Sequence, residues 1–155
     1  MKTRILMVCL GNICRSPLAE GILHSKLNSK DFYIDSAGTG GYHIGSAPDS
    51  RSVAVANKYT IDISQQRCRK FTPQDFEDFD IIYVMDYSNY QNVVKLADNQ
   101  AQKNKVKLLL SETSLKEKEV PDPYYDDNGF EYVFELIDNA CNVIAQKLTV
   151  ADHGK

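Results

Sequence analysis

No window of this chain approaches the run of about 20 apolar residues that a membrane-spanning helix needs. The apolar stretch at residues 5–10 is ended by Gly11-Asn12, and it is also too short for the core of a secretory signal. Cysteine is sparse: Cys9, Cys14, Cys68 and Cys141 form no Cys-x-x-Cys pair, so a disulfide scaffold is excluded and reduced thiols in a cytoplasmic protein are the expectation. His24, His43 and His153 stand far apart, which argues against a clustered zinc site, and neither metal nor cofactor is expected. An excess of positive charge is missing too, since 18 Lys and Arg face 21 Asp and Glu for a net charge of −3. Such a chain has no bulk attraction for nucleic acid or an anionic membrane, so any anion it binds must be held by a local site.

What remains is the composition of an ordinary soluble globular protein, 43% hydrophobic and 25% charged over 155 residues, which sets aside disordered and collagenous classes. The length suits one domain, and with no internal repeat, low-complexity tract or composition break we place it at residues 1–150, followed by a short tail at 151–155. Residues 4–8 form a short apolar run closed by Cys9 and a glycine turn. Residues 17–28 then place Leu18, Ile22, Leu23 and Leu27 at helical spacing. Ser16-Pro17 predicts the helix start, with Ser as cap and Pro at the first position, where its missing N–H costs nothing. A second strand is expected at 32–35, a glycine-rich loop at 38–45 and a helix at 47–59. Thr72-Pro73 repeats the cap-plus-proline pattern. Continuous apolar runs at 80–85 and 106–110 suit strands buried on both faces, with a helix at 88–97 between them. Residues 130–148 carry apolar side chains at intervals of three and four and predict a long amphipathic closing helix. Alternating strands and helices imply an α/β fold: a single-domain, four-stranded parallel sheet with helices on both faces, Rossmann-like, whose ligand site lies at the carboxyl ends of the strands.

The loop after the first strand reads Cys9-Leu10-Gly11-Asn12-Ile13-Cys14-Arg15-Ser16. Its Gly and Asn can take left-handed conformations that turn successive backbone N–H groups inward, and these together with a helix N-terminus make a nest for a tetrahedral oxyanion. Arg15 can grip two oxygens of that anion with its planar fork. The same positive field favours the thiolate of Cys9, a nucleophile beneath the phosphorus. Cys9 and Arg15 are thus the candidates for nucleophilic phosphoryl transfer through a cysteinyl-phosphate, with the amides of residues 10–14 and Arg15 stabilising the equatorial oxygens and no metal required. The leaving oxygen needs a proton donor. Asp122, stiffened between Pro121 and Pro123 on the same edge of the sheet, is assigned as general acid and then as general base for the hydrolytic water.

The N-terminal segment from Cys9 to Glu20 and the segment Asp122-Pro-Tyr-Tyr closely resemble the low-molecular-weight protein tyrosine phosphatase family. Three intervening segments in family order also match: Asp35-Ser-Ala-Gly-Thr, Pro48-Asp-Ser-Arg51 and Met85-Asp-Tyr-Ser-Asn89. The resemblance implies the family's fold and its hydrolysis of phosphotyrosine. It implies that Asn12 holds the loop in its strained turn with Ser36 bonded to it, that Ser16 assists the thiolate, and that Leu10, Tyr42 and Tyr124 wall the pocket. Walls deep enough for a phenyl ring select phosphotyrosine over the shorter phosphoserine. Cys14 would be the redox partner of the nucleophile. Gln66 stands where some members place a supporting His, while Cys68 and Cys141 are expected to serve packing. The implied partners are tyrosine-phosphorylated proteins, with a cognate tyrosine kinase left open, and inorganic phosphate as product and competing ligand. No nucleic acid or membrane partner is implied, and a monomer is expected.

Three rival readings share parts of this pattern. Arsenate reductases with the same loop relay oxidation to a mid-chain cysteine pair, and residues 86–105 contain no cysteine. Protein arginine phosphatases carry Thr where this loop has Ile13, and a β-branched apolar residue favours a phenyl ester. A phosphotyrosine-binding module without activity would lack the nucleophile or the acid, whereas Cys9 and Asp122 are both present.

Overall fold

The computed structural model describes residues 2–153, the last three by their backbone alone. In chain order the elements are β1 (Thr3–Cys9), α1 (Arg15–Lys26), β2 (Phe32–Gly38), α2 (Ser50–Lys58), α3 (Asp75–Asp78) and β3 (Ile81–Val84). They continue with α4 (Tyr87–Val94), α5 (Gln100–Lys103), β4 (Val106–Leu108), a 3-10 turn (Leu109–Glu112) and α6 (Phe130–His153). All strand pairs are parallel, in the order β2-β1-β3-β4. The expected four-stranded parallel sheet is therefore present, and the register places Ile5 opposite both Ile34 and Ile81.

The alternation of side chains along β1 explains why its apolar run is continuous. Ile5 and Met7 point to one face and join a core with Leu18, Ile22 and Leu23 of α1 and Phe134, Ile137 and Ile144 of α6. Leu6 and Val8 point to the other and pack with Phe71, Phe76, Phe79 and Val93. A strand covered on both faces has no solvent side, so no polar alternation survives in its sequence.

Several boundaries differ from the sequence reading for identifiable reasons. α1 begins at Arg15 with Cys14 at the N-cap and no side-chain cap, so Ser16 lies inside the first turn and is not the cap. Its hydroxyl is committed elsewhere, as described below. α2 starts at Ser50 because Asp49 is its cap, accepting from the Arg51 N–H at 2.9 Å. The apolar run at 106–110 splits: β4 stops at Leu108, and Leu109 and Leu110 are buried by a 3-10 turn, which apolar character alone does not distinguish from a strand. α5, one turn long, is too short to show a period. α6 continues through His153, so the backbone of residues 151–153 is helical, while positions 154 and 155 of the anticipated tail lie outside the described residues.

Gly21, on the buried side of α1, tests the tightness of that packing. A Cβ there would meet Cγ2 of Ile63 at 2.4 Å and Cγ2 of Ile61 at 3.2 Å. Glycine in a helix ordinarily costs about 1 kcal/mol relative to alanine. Forcing a methyl group into a filled core costs about 1–3 kcal/mol, so the clash should win. Gly21→Ala is expected to lower the midpoint of urea unfolding, and an unchanged or raised midpoint would show that the 61–63 segment yields.

β1 leads through α1 to β2 on one side, whereas the chain next enters the sheet as β3 on the other side of β1. The crevice at the carboxyl ends of β1 and β3 is consequently the topological switch point, where open α/β sheets bind ligands.

Candidate active site

Residues 9–16 leave β1 at this crevice and turn directly into α1. Asn12 adopts φ +56°, the left-handed conformation expected of it, and its N–H points back at Cys9 Sγ at 3.3 Å. The N–H groups of Gly11, Ile13 and Cys14 donate to no acceptor among the described residues. A loop whose N–H groups are left without acceptors at a helix start suits an anion.

The strained turn is held from behind. Asn12 Nδ2 donates to Ser16 Oγ at 2.8 Å and to Ser36 Oγ at 3.0 Å, and Asn12 Oδ1 accepts the Arg69 N–H at 3.0 Å. Ser16 Oγ lies 3.1 Å from Cys9 Sγ, which accounts for its absence from the capping role. Ser36 passes its own proton toward Glu20 Oε1 at 2.6 Å. The Asp49 N–H donates to Ile13 O at 2.8 Å, the Ser52 hydroxyl to Cys14 O at 3.3 Å and the Cys68 thiol to Gly11 O at 3.1 Å, so Cys68 braces the loop as well as packing. Gly38, at the end of β2, allows this closeness, since a Cβ there would lie 2.8 Å from Leu10 O. Gln66 is outside the network: its amide donates to Pro17 O at 3.1 Å. Glu20 and Arg69 do the bracing instead.

Arg15 is 2% exposed, and its Nη1 is consumed by Asp86 Oδ2 at 2.6 Å and Val120 O at 2.8 Å. The edge left to bind an anion is therefore Nε and Nη2, a refinement of the planar fork expected from the sequence. Burial alone would lower the pKa of this guanidinium, but Cys9, Asp86 and Asp122 together outweigh it and hold the group above its ordinary value. Asp122 sits at the rim with its side chain 43% exposed, Oδ2 3.8 Å from Arg15 Nη2 and Oδ1 accepting the Tyr124 N–H at 3.0 Å.

These groups face a cavity of about 430 Å³, with Cys9, Cys14 and Arg15 among its lining and Leu10, Tyr42 and Tyr124 as walls. Ile13, Gly11 and Asp122 also line it. Asn12 and Ser16 do not, being buried behind it. Burial, with Asp49, Cys9 and Asp122 adding their charge, pushes the Cys14 thiol up to about 12, so Cys14 is held protonated near neutral pH.

Sequence reasoning missed Asp86, Glu20, Arg69, His43 and Tyr125. His43 and Tyr125 complete the cavity mouth, and the rings of His43 and Tyr124 lie 6.4 Å apart. Glu20, Asp86 and Tyr125 lay inside segments that resemble the family but were given no role there, and Asp86 had a further signal as the first polar residue after the apolar run of β3, at the same strand edge as the loop. Among the described residues no group of three or more His, Cys, Asp or Glu is placed to hold a metal ion, and no helix is long and apolar enough to cross a membrane.

Burial pushes the Glu20 carboxyl up to about 7; Asp35 adds to this, while the Ser36 hydrogen bond and Arg69 pull it back. The folded protein thus binds this proton more tightly than an unfolded chain with its ordinary value of 4.5. The resulting stabilisation is full below about pH 4.5 and is lost as pH rises through about 7. Thermal unfolding midpoints of Glu20→Gln should fall less between pH 5 and 8 than those of the unsubstituted protein; identical slopes would assign the dependence elsewhere.

Fold and loop together define a class: α/β proteins carrying an oxyanion-binding Cys-x5-Arg loop at the switch point of a parallel sheet. The family model for low molecular weight phosphotyrosine protein phosphatase matches residues 4–152. A low molecular weight phosphotyrosine protein phosphatase of Dictyostelium discoideum is 41% identical over 155 residues, covering 86% of this chain and 87% of the relative. The low molecular weight protein-tyrosine-phosphatase PtpA of Staphylococcus epidermidis is 39% identical over 142 residues, covering 89% and 88%. Among solved structures, a protein tyrosine phosphatase from Entamoeba histolytica matches with a TM-score of 0.90 at 34% identity, covering 97% of this chain and 99% of that one. The chain belongs to the low molecular weight phosphotyrosine protein phosphatase family.

Proposed function

We propose that this protein hydrolyses phosphotyrosine in proteins by a two-step, metal-independent route through Cys9. The observation that carries the reading is the position of Cys9 Sγ, at the floor of the cavity within hydrogen-bonding distance of Ser16 and the Asn12 N–H, with Arg15 beside it and Asp122 at the rim. The Cys9 thiolate attacks phosphorus as the phosphorus–oxygen bond to the tyrosine breaks. Asp122 delivers its proton to the leaving phenoxide oxygen. The loop amides with Nε and Nη2 of Arg15 hold and stabilise the equatorial oxygens, over which the charge of the transferring group is spread in the transition state. Asp122 then accepts a proton from water as that water attacks the cysteinyl-phosphate, freeing inorganic phosphate and restoring the thiolate.

The walls support the substrate class. Leu10, Ile13, Tyr42 and Tyr124 line the same cavity as Cys9 and can enclose a phenyl ring, which favours phosphotyrosine over the shorter phosphoserine. Tyrosine-phosphorylated proteins are the partners this implies. Cys14, lining the same cavity, is the resolving thiol: after a peroxide converts Cys9 to a sulfenic acid, Cys14 sulfur attacks that sulfur, water leaves and a disulfide closes. All four cysteines are free, which suits a reducing cytoplasmic location.

The test is phosphate release from phosphotyrosyl and phosphoarginyl peptides side by side, in excess EDTA with a reducing thiol. Preferential turnover of phosphotyrosine is expected. Preference for phosphoarginine would keep the cysteine mechanism and overturn the role given to Ile13. Turnover of neither would leave a binding module.

A further inference from the structure

A second concavity adjoins the first. Leu10 and Tyr42 line both, and on the far side of this shared wall lies a cleft of about 300 Å³ that also takes in Thr39, Lys70, Asn92 and Lys95. The wall is well anchored. The Thr39 and Gly40 N–H groups donate to Cys9 O and Leu10 O, both at 2.9 Å, so the floor of the cleft is tied to the phosphate loop itself.

The cleft is electrostatically one-sided. No acidic residue lines it, and both lysines are exposed. Neither makes an ion pair among the described residues, a state they share with most of the described lysines; what sets these two apart is that they line one cleft together. The two cations come from separate elements: Lys70 from the segment bridged to Gly38 at the end of β2, and Lys95 from the C-cap of α4. A lysine at a helix C-terminus complements the helix dipole. That accounts for Lys95 but not for Lys70. It also leaves unexplained the Thr39 hydroxyl, which is buried without a hydrogen-bond partner. In a chain of net charge −3, two unpaired ammonium groups beside one cleft are a local feature and not part of a general positive field.

We propose that this cleft is a subsite for an anionic group on the substrate peptide, close in sequence to the phosphotyrosine, bound by Lys70 and Lys95. The proposal rests on the phosphotyrosine phosphatase reading and adds a specificity to it. An extended peptide advances about 3.3–3.6 Å per residue, so a side chain one or two positions from the phosphotyrosine can cross the wall formed by Leu10 and Tyr42. A carboxylate and a second phosphate share the required chemistry. Exposed charge pairs of this kind contribute modestly, which sets the expected preference at about 3- to 10-fold in kcat/KM, weakening with salt.

The experiment compares three phosphotyrosyl peptides, flanked by Gln, by Glu, or by phosphoserine two positions away, using the unsubstituted protein and K70Q/K95Q at low and high ionic strength. Phenyl phosphate serves as the substrate that cannot reach the cleft. The unsubstituted protein should prefer the anionic peptides, and K70Q/K95Q should lose that preference while its kcat and KM for phenyl phosphate stay unchanged. The better of the two anionic peptides identifies the group bound. Absence of a preference, or a preference that persists in K70Q/K95Q, overturns the subsite and leaves the phosphatase reading intact. Failure of the unsubstituted protein to turn over phenyl phosphate overturns the phosphatase reading itself.

Discussion

Cys9→Ser is expected to reduce phosphate release by about 10⁴-fold or more, the scale seen when a hydrolase loses its nucleophile. The substitution is nearly isosteric at a position that is 3% exposed, so the fold should persist. A serine hydroxyl is a poor nucleophile unless a base removes its proton. The groups within reach of position 9 are the Ser16 hydroxyl and the Asn12 N–H, and neither is a base. In the proposed route they assist a sulfur nucleophile, and they cannot generate an alkoxide. Arg15 and the loop amides remain in place in this variant, so inorganic phosphate should still bind when followed by calorimetry. Turnover close to that of the unsubstituted protein would remove Cys9 from the mechanism.

Asp122→Asn is expected to slow phenyl phosphate hydrolysis by about 10²- to 10⁴-fold, the usual contribution of a positioned general acid. The diagnostic is the dependence on leaving group. An aryl phosphate whose phenoxide is already stable needs little protonation, so its loss should be much smaller than that of phenyl phosphate. The Asp122 side chain is 43% exposed and 3.8 Å from Arg15 Nη2, while the tight partners of that guanidinium are Asp86 and Val120. The amide should therefore leave Arg15 in place. An equal loss across leaving groups would mean that position 122 acts by orienting Arg15 or the loop, and Asp122 would no longer be the acid.

Most of the fold was legible because its signals are local. Residues 5–8 and 81–85 are continuously apolar since β1 and β3 are buried on both faces, and the stripe of α6 follows from its packing in the core on one side of the sheet. The reading failed where one local pattern serves two ends. Ser16-Pro17 has the form of a helix cap, yet the Ser16 hydroxyl lies against Cys9 Sγ, and the helix begins one residue before it. Leu109 and Leu110 have strand character but close a 3-10 turn.

At the site, the contiguous segment from Cys9 to Ser16 determined by itself that an anion nest, a thiol and a guanidinium would share one loop, because seven residues of chain cannot separate them far. The segment 121–123 likewise marked its own carboxylate. Tertiary structure alone decided what holds those groups in register. Asp86 is 71 residues from Arg15 and takes its Nη1, Arg69 is 57 residues from Asn12, and Glu20 reaches the loop only through Ser36 of β2. Lys70 and Lys95 likewise meet across the end of β2 and the end of α4. These partnerships depend on the order β2-β1-β3-β4, which gathers strand ends distant in sequence at one edge. Hydrogen bonds and charge pairs act over a few ångströms of space, and no periodicity along the chain records which remote residue will fill that space.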